Sequence, residues 1–204
     1  MHTMKTTAKN VPDHDALYRI AEQQAGYLTA RQAATAGFSW ERLSDYSKRK
    51  RFQRVARGIY RLSQFPASRF EDLFVAWLRC GRKSAISHES ALTVYELSDV
   101  IPAETHVTVP RTASRRRKGI RLHTNQIRPR DVVKREGLPV TSVPRTVSDV
   151  GKAGLSEDHV ERAIREALQR GLTSKQELLS EAKRRGGRAA RLIKAFLQTA
   201  KRAS

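Results

Sequence analysis

The stretch GYLTARQAATAGFSWERLSDYSKRKRFQRVARGIYRL, residues 26–62, decides the predicted fold of the N-terminal part of the chain. Thr29 and Ser39 belong to the residue types that commonly cap helices, because their hydroxyl groups accept hydrogen bonds from backbone N–H groups of the first turn. Thr29 therefore predicts a helix of about two turns. Ser39 predicts a further helix that runs from Trp40 towards Arg49.

The apolar residues of the helix after Ser39 indicate which side faces the core. We expect Trp40, Leu43 and either Tyr46 or Ser47 to point inward, since residues three and four positions apart share one side of a helix. The opposite side then carries mainly charged residues: Glu41, Arg42, Asp45, Lys48 and Arg49.

Another helix is predicted before this stretch. From Pro12 onward, Ala16, Leu17 and Ile20 lie on one helical side, and Gly26 is able to end the helix. The N-terminal part of the chain is therefore expected to begin with three short helices joined by tight turns.

The sequence pattern changes after the third helix. FQRVARGIYRL, residues 52–62, is rich in β-branched and aromatic residues around Arg57-Gly58, which predicts a β-hairpin. Arg-Gly is a poor pair for a type I′ turn, so we expect a type I turn with Gly58 in the left-handed conformation, and the register stays open. Three helices followed by a two-stranded hairpin are the order of a winged helix-turn-helix, in which the hairpin is the wing.

The whole chain is strongly basic. Its 204 residues include 40 Lys and Arg but only 20 Asp and Glu, which gives a formal net charge of +20. Such a charge favours a polyanionic partner. Nucleic acid is favoured over a membrane, because no segment approaches the roughly 18 consecutive apolar residues of a spanning helix. A ribosome-like or non-specifically binding basic protein is the alternative.

Basic residues concentrate in the third helix and the wing. A helix in the major groove reads base edges with its N-terminal side chains, and the surrounding Lys and Arg neutralise phosphates. Candidates for base contacts are Ser39, Glu41, Arg42 and Asp45. A solvated charged face is the alternative interpretation. The predicted DNA-binding residues are Ser39, Arg42, Lys48, Arg49, Lys50, Arg51, Arg54, Arg57 and Arg61.

A domain boundary is predicted near Gln64-Phe65-Pro66, where the wing ends. Residues 1–65 are then the winged helix-turn-helix DNA-binding domain, and residues 66–204 form a C-terminal domain. The segment SRFEDLFVAWLRCG, residues 68–81, has a strongly apolar helical pattern, and this helix either starts the second domain or bridges the two. The predicted fold class is α+β, with the winged helix-turn-helix followed by a mixed, mainly helical α/β C-terminal domain.

The second half of the chain mixes helical and strand patterns. Helical spacing predicts a helix at residues 88–97, and alternation predicts strands at residues 105–110 and 119–125. The basic tract RTASRRRKG, residues 111–119, is predicted to be the loop between these strands. Whether this loop contacts a partner stays open.

Three helices are predicted at the C-terminal end. Ser156 caps the first, and Thr173 with Gln176 predicts a capping box for the second. The third follows a Gly-Gly break. From Ala182 onward the chain carries eight basic residues and no acid, so this basic tract is either a second polyanion-binding face or a solvated one.

The residue spacing shows no recognisable catalytic or metal-binding pattern. Six His are spread along the chain without the i, i+4 partner or the neighbouring Cys that metal sites usually have. His88-Glu89 lacks the second His of a zinc-hydrolase helix. The carboxylates are too dispersed for a metal-dependent nuclease. We therefore predict that the protein is not an enzyme and uses no metal and no cofactor.

Cysteine content and the N-terminal residues indicate the cellular compartment. Cys80 has no second Cys with which to form a disulfide bond, which fits a reducing environment. The first 15 residues contain no apolar core of a secretory signal. The sequence thus predicts a cytoplasmic protein.

Two motifs carry a family resemblance. The Gly-Tyr-Leu-Thr start and the Arg-Gly-Ile-Tyr-Arg-Leu wing, both within residues 26–62, resemble the winged helix-turn-helix of AbiEi-family antitoxins of AbiE-type, type IV toxin–antitoxin systems. LPVTSVPRTVSDVGKAG, residues 138–154, is similar to the segment that follows this domain in such antitoxins and in relatives with an endonuclease-like tail. The tail of those relatives has a carboxylate-and-lysine active site, for which this sequence shows no motif. The resemblance covers most of the chain and favours the antitoxin branch.

The resemblance implies a bacterial protein that binds its operator in double-stranded DNA, with inverted repeats expected, and represses its own operon. Residues 66–204 are then an antitoxin-type domain that counteracts a nucleotidyltransferase-type toxin, with or without direct contact. Two alternatives are a DNA-binding regulator without a toxin partner and a divergent relative of the endonuclease-like proteins that lacks the nuclease domain. The residues that match the family's recognition-helix and wing positions are Ser39, Arg42, Arg49, Arg54 and Arg57.

A second set of residues matches the family's recurrent Arg-Thr-x-x-Asp element. Arg145, Thr146 and Asp149 occupy these positions. Because Arg145 and Asp149 are four residues apart at the start of a helix, a structural ion pair is favoured over an antitoxic role.

Overall fold

The residues described by the computed structural model are 11–99, 101–111 and 117–202. The chain divides into two compact units, of which the first ends at Leu78 and the second begins at Arg79. This division lies inside the helix Glu71–Cys80, whereas we predicted a boundary between residues 65 and 66.

The first unit is a winged helix-turn-helix, as predicted. Thr29 caps α2 in a capping box with Gln32, and Ser39 caps α3, so both predicted caps are confirmed. Asp13 caps α1 in the same way. The elements are α1 (His14–Glu22), β1 (Tyr27–Thr29), α2 (Ala30–Thr35), α3 (Trp40–Lys48), β2 (Phe52–Ala56), β3 (Ile59–Leu62) and α4 (Glu71–Cys80).

The strand β1 is not predicted from the sequence, because three residues are too few for an alternating pattern to be recognised. It pairs with β3, with Leu28 opposite Tyr60, so β3 is the central strand of a sheet with the order β1-β3-β2. The ring of Tyr27 stacks on Phe74 with 4.6 Å between centroids, and its hydroxyl donates to Glu71 at 2.9 Å. These contacts join the sheet to the start of α4.

The predicted wing is formed by β2 and β3. Gly58 has a φ of +71°, which confirms the expected left-handed conformation in the turn. The antiparallel register shifts between Arg54 and Ala56, leaving Val55 as an extra residue in β2. Such a bulge increases the local twist of a strand.

The second unit contains a mixed five-stranded sheet with the order β6-β5-β4-β8-β7, together with helices. β5 and β6 are parallel, as are β4 and β8, and the other neighbouring strands are antiparallel. The elements are β4 (Ala85–Ile86), α5 (His88–Tyr95), β5 (Thr105–Val109), β6 (Ile120–Thr124), a 3-10 turn (Pro129–Asp131), β7 (Val132–Arg135), β8 (Leu138–Thr141), α6 (Val143–Ala153), α7 (Glu157–Gln169), α8 (Lys175–Arg185) and α9 (Gly187–Arg202).

The predicted mixture of helix and strand is confirmed for the second unit. The predicted strands at residues 105–110 and 119–125 are β5 and β6. β4, β7 and β8 are not predicted, because each has two to four residues and depends on its neighbours in the sheet. Most of the predicted basic loop, residues 112–116, lies outside the described residues.

The helix α6 is largely enclosed, since eight of its eleven residues are buried. At Gly151 a Cβ atom would lie 3.4 Å from Ala189 of α9, an ordinary van der Waals distance, so α9 packs directly on α6 at this position. Polar side chains on so buried a helix need partners inside the fold. None of the helices in the described ranges combines the length and apolar composition of a membrane span.

The capping box of α8 begins one residue later than predicted. Ser174 Oγ accepts the Glu177 N–H at 3.2 Å, and the Glu177 carboxylate accepts the Ser174 N–H at 2.8 Å. The predicted pair, Thr173 and Gln176, has the same spacing, but a carboxylate accepts hydrogen bonds more strongly than an amide oxygen. Thr173 only donates its hydroxyl to Glu177, at 3.0 Å.

Candidate nucleic-acid interface

The N-terminal end of α3 is fixed by two hydrogen bonds at the turn before it. Ser39 Oγ accepts the Arg42 N–H at 3.3 Å, and Arg42 Nη1 donates to the carbonyl of Gly37 at 3.2 Å. Ser39 and Arg42 therefore lie at the start of α3, where base contacts were predicted. Arg42 is half-buried, and a bidentate base contact by its guanidinium competes with the bond to Gly37.

Trp40 is exposed, and the prediction that it faces the core is wrong. Its exposed fraction is 55%, and the guanidinium of Arg54 lies over its ring, 5.9 Å from the centroid. Side chains lean towards the N-terminus of a helix, so this first residue of α3 extends past the helix end. The core beneath α3 is filled by Leu43, while Tyr46 packs on Phe52 with 5.2 Å between ring centroids.

The cations that follow α3 and line the wing are mostly exposed. Arg51 lies over the ring of Tyr46, 5.4 Å from the centroid. Arg49 is 67% exposed and its Nε lies 3.1 Å from Asp45 Oδ1, a surface pair of small energetic value. Between residues 48 and 57, five exposed cations form no ion pair with the described residues: Lys48, Lys50, Arg51, Arg54 and Arg57.

Arg61 does not have the predicted position for a phosphate contact. It is 8% exposed, and its guanidinium donates to the carbonyl of Phe65 and to the side-chain oxygen of Gln53. Its Nε is 3.9 Å from Glu71 Oε2. The physical reason is that Phe65 and Glu71, which follow the wing in sequence, supply oxygen atoms to a guanidinium that an isolated hairpin would expose.

Arg145 lies in a buried network of the second unit. It is 1% exposed, its Nε donates to Asp149 Oδ2 at 2.7 Å, and its Nη1 donates to Asp131 Oδ2 at 3.1 Å. Thr146 donates its hydroxyl to the carbonyl of Thr141 at 2.9 Å. The structural interpretation of the Arg-Thr-x-x-Asp element is therefore confirmed, since all three side chains are bonded inside the fold.

The two aspartates of this network have pKa values shifted in opposite directions. Burial acts to raise the pKa of Asp131, but the backbone N–H of Arg128 and the charges of Arg184 and Arg145 outweigh it and lower that pKa. Burial raises the pKa of Asp149 against the opposing charge of Arg145. The network thus holds Asp131 firmly in its ionised form.

Part of the basic C-terminal tract is used inside the fold. Arg184 Nη2 lies 3.0 Å from Asp131 Oδ1, and Arg185 Nε donates to Glu181 Oε1 at 2.8 Å. Arg188 Nη1 donates to a backbone carbonyl of α6 at 2.7 Å. Among the basic residues of this tract whose burial the structure describes, four are exposed: Lys183, Arg184, Arg191 and Lys194. The two interpretations of the tract stay open for these residues.

Three histidines that are distant in sequence come together in the second unit. Ring nitrogens of His88, His106 and His123 lie within 4.8 Å of one another. Burial, with smaller effects of nearby positive charge, lowers the pKa of His88 to about 2 and those of His106 and His123 to about 4. All three are therefore neutral at pH 7. Local spacing does not reveal this cluster, because its members come from α5, β5 and β6.

Comparisons with known proteins support the assignment of the first unit. No curated protein matches the sequence. A solved structure with a similar fold is the RV2827C protein from Mycobacterium tuberculosis, with a TM-score of 0.53 and 11% identity over 89% of this chain and 74% of that chain. At this identity the likeness shows the fold alone. The model of a family described as "Transcriptional regulator, AbiEi antitoxin" matches residues 15–63, so the predicted resemblance to AbiEi antitoxins is confirmed for the winged helix-turn-helix.

Proposed function

We propose that this protein is an antitoxin-type transcriptional regulator that binds operator DNA through α3 and the wing and represses its own operon in the bacterial cytoplasm. The family match over residues 15–63 supports a DNA-binding regulator. The observation that carries the proposal is the position of Arg54 over Trp40, which sets the wing beside the N-terminal end of α3.

Base contacts are assigned to the first turn of α3. Ser39, Trp40 and Glu41 are exposed there, and Arg42 reaches the same turn. Side chains at the N-terminal end of a recognition helix are those that reach base edges in the major groove. Trp40 presents a large apolar surface, which suits contact with a thymine methyl group.

Phosphate contacts are assigned to the exposed cations around this turn. Exposed Lys and Arg without ion-pair partners bind phosphates without first breaking a bond inside the protein. The residues assigned on this basis are Lys48, Lys50, Arg51, Arg54 and Arg57. Arg49 is assigned with them, because its surface pair with Asp45 costs little to break. Arg61 is left out because it is buried.

The second unit is proposed to counteract a nucleotidyltransferase-type toxin. The support is the antitoxin description of the matched family. Operator binding and antitoxic action are then carried by different parts of the chain, which makes them separable by substitution.

The test of DNA binding is a salt titration that compares DNA from upstream of the gene with scrambled DNA of equal length. We expect tighter binding to the upstream DNA by about 4 kcal/mol or more. The double variant Arg54→Ala/Arg57→Ala should lower the slope of log K against log salt by about 0.9 for each lost phosphate contact. The double variant Arg19→Ala/Arg165→Ala removes the same charge from exposed helix positions outside the interface and serves as control.

Equal affinity for both DNA molecules would overturn the regulator assignment. Equal slopes of log K against log salt in the two double variants would show that the wing does not contact phosphates. The antitoxin part is tested by co-expression with the protein encoded beside this gene, with growth as the readout. We expect Arg54→Ala/Arg57→Ala to restore growth as well as the wild type while failing to repress. A neighbouring protein that never impairs growth would favour the regulator without a toxin.

A further inference from the structure

The histidines on β5 and β6 share one face of the second unit's sheet. Thr108 is opposite His123 in the parallel register, and His106 is two residues before Thr108. Residues directly opposite each other, and residues two apart on one strand, point to the same face. His88 begins α5 with a φ of +52°, a conformation that is unfavourable for residues other than glycine and often occurs at functional sites.

The nitrogen atoms of these histidines have the spacing of metal ligands. His123 Nε2 lies 3.4 Å from His106 Nδ1. Two nitrogen ligands of a tetrahedral Zn²⁺, each about 2.0–2.1 Å from the ion, are about 3.3 Å apart. The ring of His88 stacks on that of His123 with 3.5 Å between centroids. It therefore has to rotate out of the stack to bind the same ion, because imidazole binds a metal in its ring plane.

One ring nitrogen each of His88 and His106 faces a polar side chain. His88 Nδ1 is 3.0 Å from Ser87 Oγ, and His106 Nε2 is 4.0 Å from Glu89 Oε2. Metal-binding histidines usually direct their second nitrogen at such a polar group, often a carboxylate, which fixes the ring orientation. This arrangement leaves Nε2 of His88 and Nδ1 of His106 available to an ion.

A further oxygen lies on the same face of the sheet. Thr108 Oγ1 is buried and has no hydrogen-bond partner in the part of the chain that the structure describes. Buried hydroxyl groups without partners are rare in folded proteins, because burial removes their hydrogen bonds to water. A polar ligand held at the histidine cluster is one explanation for this hydroxyl.

We propose that His88, His106 and His123 bind a divalent transition-metal ion, with Zn²⁺ as the best match, and that Glu89 orients His106. Three neutral imidazoles are a ligand set that suits Zn²⁺ and similar ions. The positive charge of Arg121, which lies opposite His106 on the edge strand β6, opposes a bound cation. Arg121 therefore weakens the binding of the ion. Replacing it should strengthen binding, whereas replacing a ligand should weaken it.

The test uses the full-length, tag-free protein treated with a chelator and then titrated with Zn²⁺ or Co²⁺. We expect one Zn²⁺ per chain by elemental analysis after dialysis, and visible absorption bands from bound Co²⁺. His123→Ala should lower the affinity at least about tenfold, since even the loss of a group that only orients a ligand costs about 10–100-fold. His159→Ala, which removes an exposed histidine of α7, is the control and should leave the affinity unchanged.

Two more variants test the roles of the surrounding charges. Glu89→Gln should weaken Zn²⁺ binding about 10–100-fold, whereas Arg121→Ala should tighten it. Failure of the wild-type protein to bind either ion would overturn the proposal and leave a hydrogen-bonded histidine cluster. Binding that His159→Ala reduces as much as His123→Ala would also overturn it, because the ion would then be on the surface. Hydrogen exchange of β5 and β6 establishes that each variant is folded.

Discussion

Arginines in the two units have opposite surroundings. In the first unit Arg54 and Arg57 are exposed, and no described carboxylate forms an ion pair with them. In the second unit Arg145 is 1% exposed and has oxygen atoms of Asp131 and Asp149 within 3.1 Å. The residue type is the same, so the difference comes from the carboxylates that the fold places beside it. A net charge of +20 therefore indicates a polyanion partner without indicating which arginines contact it.

Arg61 shows that the contrast follows burial and not position in sequence. It lies four residues after Arg57, yet it bonds to groups of its own unit and is 8% exposed. The contrast between exposed and buried arginines can be tested by substitution.

The largest effect is expected for Arg145→Ala. Removal of this guanidinium leaves Asp149 buried without its ion-pair partner and takes one of several cations from Asp131, and breaking a buried ion pair costs about 3–5 kcal/mol. Both tryptophans lie in the first unit, so unfolding of the second unit is best followed by hydrogen exchange of α6 and α8. The control Lys152→Ala, at an exposed position of α6, should change stability by less than about 0.5 kcal/mol. Equal stability of the two variants would contradict the central role of Arg145.

A smaller effect is expected when the two neighbouring arginines of the wing are compared. Arg61→Ala removes hydrogen bonds from a buried charged group, which are worth about 1.5–3 kcal/mol, and should destabilise the first unit. Arg57→Ala should leave stability nearly unchanged and weaken DNA binding at low salt. Tryptophan fluorescence during urea unfolding measures the first quantity and a DNA titration the second. A stability loss in Arg57→Ala as large as that in Arg61→Ala would remove the contrast.

An acid-dependent effect is expected at Asp131. Its pKa is lower in the folded protein than the ordinary value of 3.8, so its ionised form stabilises the fold above that pH. This contribution is lost as the pH falls through the lowered pKa. The difference in unfolding free energy between the wild type and Asp131→Asn should therefore shrink as the pH falls below about 4. A difference that stays constant from pH 6 to acid conditions, by urea unfolding followed by circular dichroism, would contradict the assigned role.

The smallest effect concerns the start of α8. Ser174→Ala removes an observed cap and should cost about 1 kcal/mol, whereas Thr173→Ala removes only a hydroxyl that donates to Glu177 and should cost less. Hydrogen exchange in the first turn of α8 measures the difference. A larger loss of stability in Thr173→Ala than in Ser174→Ala would support the capping box predicted from the sequence. It would also show that cap spacing by itself selects the helix start.

Long and strongly patterned segments were predictable from the sequence. The caps Thr29 and Ser39, the wing turn at Gly58 and the helices with continuous apolar stripes depend on interactions within a few residues. The ion pair of Arg145 with Asp149 was predictable for the same reason, because its partners are one helical turn apart. The exposure of Trp40 was not predictable, since helical spacing does not show how far the core extends beneath the first turn.

Local patterns and composition are enough to predict the winged helix-turn-helix, its basic surface and the α+β class. Three features are visible only in the folded chain: Arg61 is buried, Asp131 pairs with Arg145 and Arg184, and His88, His106 and His123 lie together. Each of these depends on strand pairing or helix packing between residues that are distant in sequence. Such contacts form only when the whole core excludes water, and residue spacing along the chain does not encode them locally.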